Sequence, residues 1–170
     1  MATFNLLPED LVLKIRELES EVSELKANVE ALTKFARAHS KYLAMATGHV
    51  LEGMSILRYY ANREGRLGID EIEGAFESIR ELQHLQELCN FSDIRDDIGD
   101  YMGRLMSCTI ELCGDARISS SQLLDTLKQR FDNASLLKIV HLDDVADSYG
   151  LAEAHEWWHR LRDWTRWRQK

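Results

Sequence analysis

Two histidines, His155 and His159, lie four residues apart near the end of this 170-residue chain, with Glu156, Trp157 and Trp158 between them. On a helix that spacing sets both imidazoles on one face, where neutral ring nitrogens can share a metal ion. Residues 157–167 hold all four tryptophans, Trp157, Trp158, Trp164 and Trp167. On a helical wheel Trp157, Leu161 and Trp164 share a face, Trp158 and Trp167 sit at its edges, and Arg162, Arg166 and Lys170 point away. That much aromatic area is not left in water. The spacing predicts an amphipathic helix over 151–168, packed on the chain's own body or on a neighbouring subunit. Trp157, Trp158, Leu161, Trp164 and Trp167 are therefore candidate partner-binding residues, Trp and Arg being enriched where interfaces are tightest. Arg160, Arg162, Arg166 and Arg168 are the candidate phosphate contacts if a nucleic acid is the partner.

Three segments resemble known families. His155-Glu156-Trp157-Trp158-His159 resembles the zincin pattern, which implies zinc ligands at His155 and His159, a general base at Glu156, and a zinc-dependent hydrolase. The longer metzincin pattern is not continued, because Arg162 stands in the place of its Gly and Thr165 in the place of its His. A third ligand would come from upstream, among Cys113, His141, Asp143, Asp144 and Asp147. The run Leu142-Asp143-Asp144-Val145-Ala146-Asp147-Ser148-Tyr149-Gly150-Leu151 resembles the first helix and turn of a helix-turn-helix, which implies a DNA-binding regulator using residues 142–168. Glu153 and Glu156 lie early on the helix that would read the groove, where phosphates repel them. Leu7-Pro8-Glu9-Asp10-Leu11-Val12-Leu13-Lys14-Ile15 resembles the opening helix of an F-box, the adaptor-docking module of ubiquitin ligases. An F-box then breaks into short helices, where this sequence continues in heptads. Pro8 with Glu9 and Asp10 reads as a helix start, with φ preset and acidic groups near the positive end of the dipole.

The elements that position these residues follow from periodicity. Leu11, Leu18, Leu25 and Leu32 occupy d of a heptad repeat, and Ile15, Val22 and Val29 occupy a. β-Branched a with Leu at d favours two parallel strands. Lys14 at g would meet Glu19 at e of a second chain, and Glu21 at g would meet Lys26 at e. The same stripe could also pack inside one chain's bundle. Beyond Leu32 the stripe runs Ala36, His39, Leu43, Ala46, Val50, Met54 and Leu57, the mixed sizes of a helix entering a globular core, with Gly48 and Gly53 either kinking it or permitting close packing. Asp70 and Ser92 are candidate caps for the next two helices. Their inward stripes are Ile72, Phe76, Ile79, Leu82 and Leu85, then Ile94, Ile98, Tyr101, Leu105 and Cys108, with Gly114 as the stop. Ser119 with Gln122 forms a capping box for a helix carrying Leu123, Leu127 and Phe131, ended by Asn133. Leu137–Leu142 is the one short apolar run that reads as a strand.

Composition supports a packed core, at 45% hydrophobic and 29% charged residues, and a single Pro points to helices. Cys89, Cys108 and Cys113 are odd in number with no Cys-x-x-Cys pair, which argues for small buried side chains and against a disulfide framework. The net charge of −8 divides into +4 over residues 159–170, where five basic residues oppose Asp163, and −12 over residues 1–158. An acidic body repels nucleic acid and anionic membranes, so such contacts are confined to the basic end.

The fold expected is all-α: a long N-terminal helix over 1–61 with coiled-coil heptads at 11–32, then a helical bundle over 69–170 ending in the Trp/Arg-rich helix. The function expected is that of a non-enzymatic oligomeric assembly or adaptor protein without a cofactor. Its interface with itself, a parallel dimer by preference, is Leu11, Ile15, Leu18, Val22, Leu25, Val29 and Leu32, and a partner protein docks on the C-terminal aromatic helix. A dimeric DNA-binding regulator is the alternative and the zinc hydrolase the second. No segment approaches a membrane span, and a cytoplasmic place, or one inside an intracellular assembly, is expected.

Overall fold

A computed structural model of the chain describes residues 8–61 and 68–167, without the side chains of 60, 61 and 164–167. The protein is all-α, and no strand occurs among the described residues. Its helices are α1 (Pro8–Ala61), α2 (Glu73–Leu88), α3 (Ser92–Asp115), α4 (Ser120–Arg130), α5 (Asn133–Ile139), α6 (Leu142–Tyr149) and α7 (Leu151–Trp167), with a 3-10 turn at Ile69–Ile72 before α2. No helix among the described residues is long and apolar enough to cross a membrane. The chain divides into two compact units, residues 1–41 and 42–170.

The described part of the first unit is the N-terminal stretch of α1, residues 8–41. Glu9 and Asp10 occupy its first described turn, where acidic groups suit the positive end of the dipole. Along its surface Lys14 pairs with Glu17 at 2.9 Å and Lys34 with Glu30 at 2.8 Å, the spacings at which side chains on one helix face meet.

The second unit is a bundle built around α2 and α3. From α1 it takes Ala46, Gly53 and Leu57, all buried. These three fall in the heptad frame of Leu11–Leu32 carried on in sevens, with 46 and 53 at d and 57 at a. Gly48 and Gly53 do not interrupt the helix. A Cβ at Gly53 would lie 2.8 Å from Leu105 Cδ2 and 3.2 Å from Ser78 Cβ, so glycine here lets α1 approach α2 and α3 closely.

The expected stripe is buried, with Ile72 at the end of the 3-10 turn and Phe76, Ile79, Leu82 and Leu85 on α2, and Ala75 and Ser78 widen the face. In α3 the buried face is wider than one stripe. Ile94, Ile98 and Leu105 are buried as expected, but Tyr101 and Cys108 are only half-buried, and Met102, Met106, Ile110 and Cys113 complete the face. The reason is that α3 is covered by α2, α5 and α6, so its contact surface wraps around the helix.

Several local readings hold and others need correction. Ser119 caps α4, its Oγ accepting the Gln122 N–H at 3.2 Å, and Leu123, Leu127 and Phe131 are buried. Asn133 does not end α4 but opens α5, because Asp132 is a better cap, its carboxylate accepting the Ser135 N–H at 2.8 Å. The run Leu137–Leu142 is not a strand. Its first three residues finish α5, Val140 and His141 link extended, and Leu142 begins α6, the apolar run being the inner faces of two short helices in succession. Asp70 lies inside the 3-10 turn, whose N-cap is Gly68, with the Gly68 N–H donating to Glu71 Oε2 at 3.1 Å. Ser92 is the first residue of α3, with Phe91 at the cap position. Gly114 lies inside α3, which ends at Asp115, and Arg117 takes the left-handed φ of 58°.

Candidate functional site

The C-terminal segment folds as helix, glycine, helix. Gly150 has φ 97°, a backbone that disfavours side chains, and it turns the chain from α6 into α7. The inner face of α7 packs on α4, α5 and α6. Ala154 and Leu161 are fully buried there, and Trp157 is 2% exposed with its indole N–H donating to the Ser120 carbonyl at 3.0 Å. Of the expected aromatic face, Trp157 and Leu161 are thus packed, and they pack on the chain's own body. They present no surface to a partner in this fold. Trp158 is half-buried at the edge, with the Arg162 guanidinium 6.0 Å from its ring centroid, a cation–π arrangement. The side chains of Trp164, Arg166 and Trp167, and all of Arg168, lie outside the described residues.

The metal and phosphate candidates fare differently. His155, Glu156 and His159 are exposed on α7, and among the described residues no group of three His, Cys, Asp or Glu side chains could hold a metal ion. Arg160 turns inward, reaching Asp125 Oδ1 at 3.2 Å and Ser121 Oγ at 3.3 Å on α4. That bridge anchors α7 and takes Arg160 out of a phosphate-binding row. Glu153 is exposed early on α7. Periodicity placed Arg160 on the helix but gave no sign of its partner, which lies 35 residues upstream.

Among the described residues, two open clefts border α3. The larger, of about 680 Å³, lies between α2, α3 and α5, with Gln83, Asp100, Arg104, Lys138 and His141 on its walls. Its amides are used structurally: Gln83 donates to Ser135 Oγ at 2.6 Å and Gln86 to the Arg95 carbonyl at 2.8 Å. The smaller, of about 390 Å³, is walled by Glu111, Asp115, Asp144 and Asp147. There the Ser107 hydroxyl is shared with the Gly103 carbonyl (3.0 Å) and Asp144 Oδ2 (2.6 Å), so it is a donor to a carboxylate, without the imidazole that would make it a nucleophile. Sequence reading gave no sign of either cleft, because their walls come from helices far apart in the chain.

Burial dominates the titrating groups of the core. It pushes the Cys113 thiol up to about 12 and raises the Tyr149 phenol well above its ordinary value, with the charges of Cys113 and Glu153 adding to the latter. The half-buried Cys108 is also raised, by desolvation and then by Glu111 and Asp144. Tyr149 Oη and Asn133 Oδ1 are buried without a hydrogen-bond partner among the described residues. Two results are expected. At pH 8 Cys113 in the native protein reacts with a thiol reagent about 10³-fold more slowly than in denaturant, from thiolate population alone. Because the neutral forms of Cys113 and Tyr149 are favoured in the fold, stability is full below pH ~9 and falls as pH rises toward ~12. Denaturant midpoints across that range check the second, and a flat profile would contradict it.

Among the described residues, α1 carries a long uncovered apolar feature. Leu11, Ile15, Leu18, Val22, Leu25, Val29 and Leu32 are between 46% and 67% exposed. All seven lie on one seam of an unbroken helix. Scattered surface leucines are ordinary, but a continuous stripe of large apolar side chains is not. No protein family, curated protein or solved structure matches the chain.

Proposed function

We propose that this chain is a non-enzymatic assembly protein that self-associates through residues 11–32 of α1 and so presents its bundles as a fixed set to other proteins. The observation that carries the reading is the exposure of every a and d side chain from Leu11 to Leu32. A helix of this length that kept its apolar seam in water would forgo the tertiary packing from which most helical stability comes. Pairing with a second copy restores it, and the flanking charges complement one another in a parallel pair, Lys14 to Glu19 and Glu21 to Lys26. A partner's docking surface, on this reading, is the outer edge of α7 around the half-buried Trp158 rather than its inner face. The acidic body favours a protein over a nucleic acid as that partner, and the place of work is the cytoplasm or an assembly within the cell.

The test is mass by light scattering over a concentration series, for the native chain and for Leu18→Asp combined with Leu25→Asp. The native chain is expected to be an oligomer and the double variant a monomer whose bundle still unfolds cooperatively, since both substituted positions belong to the first unit. A native chain that stays monomeric at tens of micromolar would remove the proposal.

A further inference from the structure

Close packing accounts for two of the glycines inside the helices. A Cβ at Gly53 would lie 2.8 Å from Leu105 Cδ2, and one at Gly74 would lie 2.6 Å from Ile56 Cδ1. Gly103, in the middle of α3, is different. Among the described residues, and apart from its own helix, a Cβ there would meet only His141 Nε2, at 3.6 Å, an ordinary contact. Alanine stabilises a helix interior relative to glycine, so neither the helix nor its packing calls for glycine at this position. What Gly103 provides is bare backbone on the floor of the cleft of about 680 Å³ between α2, α3 and α5. A ligand can approach a main chain closely at such a place.

The walls of that cleft carry charge of both signs. Arg104 follows Gly103, and Lys138 stands three residues before His141, whose ring nitrogen lies beside Gly103. Asp96 and Asp100 precede Gly103 on α3. Glu87 adjoins Gln86, whose amide donates to the Arg95 carbonyl at 2.8 Å and so holds the end of α2 beside Asp96. The cleft therefore has an acidic end, Glu87, Asp96 and Asp100, and a basic end, Arg104 and Lys138. Along α3, at about 1.5 Å per residue, Arg104 is about 6 Å from Asp100 and about 12 Å from Asp96. None of these five side chains makes an ion pair among the described residues, although Asp100 and Arg104 have the spacing at which pairs form on a helix. Elsewhere in the bundle Arg80 does bridge to Glu77 and Arg160 to Asp125.

A molecule with a carboxylate at one end and an ammonium at the other satisfies both ends of such a cleft through charge-assisted hydrogen bonds. An extended peptide of two or three residues spans about 7–10 Å, within the separation of the two ends. The cleft has the volume of a small-ligand site, about 300–1,000 Å³, and Met102 and Ile139 add apolar surface to it. We propose that this cleft binds a short peptide with free termini, its carboxylate held by Arg104 and Lys138, its ammonium by Glu87, Asp96 and Asp100, and its backbone laid across Gly103. The inference concerns the second unit alone and does not depend on self-association through α1.

The experiment titrates the full chain with trialanine at low ionic strength, where exposed charges are least screened, and follows heat release and backbone amide NMR shifts. Saturable binding with a dissociation constant of about 1 mM or below is expected, with the largest shifts around Gly99 and Gly103. N-acetyl-trialanine and trialanine amide, each lacking one terminal charge, are expected to bind at least about threefold more weakly. Arg104→Gln and Asp100→Asn are expected to weaken trialanine to the same degree without loss of fold, because both side chains are exposed. Gly103→Ala, which the helix tolerates, is expected to weaken it by occupying the floor. No saturation up to about 10 mM, equal affinity for the capped peptides, or unchanged affinity in the three variants overturns the proposal.

Discussion

Trp157→Ala is expected to cost about 4 kcal/mol and to leave the bundle close to unfolding. The ring is 2% exposed, and its N–H is bonded to the Ser120 carbonyl at 3.0 Å. Truncating a buried aromatic costs about 3–5 kcal/mol in lost transfer energy and residual cavity. Removing the indole donor also leaves a part-buried carbonyl to find another partner, a further loss of about 1 kcal/mol. Against a total stability of about 5–15 kcal/mol, such a change is a large share. Trp158→Ala is the contrast, because that side chain is half-buried and lies against Arg162 of its own helix; its cost is expected below about 1.5 kcal/mol. Urea unfolding followed by far-UV circular dichroism measures both. Equal losses at the two tryptophans would mean that α7 is not held to α4 by Trp157, and the assignment of its inner face to the core would fail.

Phe76→Ala is the second large effect, expected at about 3–5 kcal/mol. Phe76 is fully buried on α2, in the stripe that also holds Ile72, Ile79 and Leu82. Its neighbours are themselves fully buried, so the site cannot collapse without moving whole helices, and most of the cavity will remain. For a unit of this size the corresponding drop in Tm is roughly 10–15 °C, readable by calorimetry. The same scan separates core from arm: Leu18→Asp with Leu25→Asp should leave the bundle transition where it is at concentrations at which both proteins are monomeric. If Phe76→Ala lowers Tm by less than about 4 °C, α2 is not the centre of this core.

How much of this was legible beforehand differs from element to element. The stripe from Ile72 to Leu85 was readable because α2 presents one face to its neighbours, and a single face leaves a clean 3.6-residue period. In α3 the same reading missed Met102, Met106, Ile110 and Cys113, because a helix covered on several sides has no single period to find. The strand expected at Leu137–Leu142 failed for a related reason: a short stretch with Leu137, Ile139, Val140 and Leu142 apolar fits a strand as well as the end of one short helix and the start of the next, and the cap at Asp132 decides between them. The candidate site was half legible. That Trp157 and Leu161 share one face of α7 with Trp158 at its edge followed from the wheel, and that this face packs on the chain's own body rather than on a neighbouring subunit did not.

What sequence alone determined is the helical class, the Ser119 cap and the apolar stripe from Leu11 to Leu32 on one helix, since each depends on residues a few positions apart whose geometry the helix itself imposes. What only the tertiary structure decided is which copy of that period finds a partner within the chain. In one heptad frame of α1, Ala46, Gly53 and Leu57 are buried in the bundle and Leu11 to Leu32 are left in water. Gly53 against Leu105, Arg160 on Asp125 and Trp157 on Ser120 were equally out of reach, because they join residues 35 or more positions apart. Local periodicity states that a surface must be covered, and only the packing of distant segments states by what.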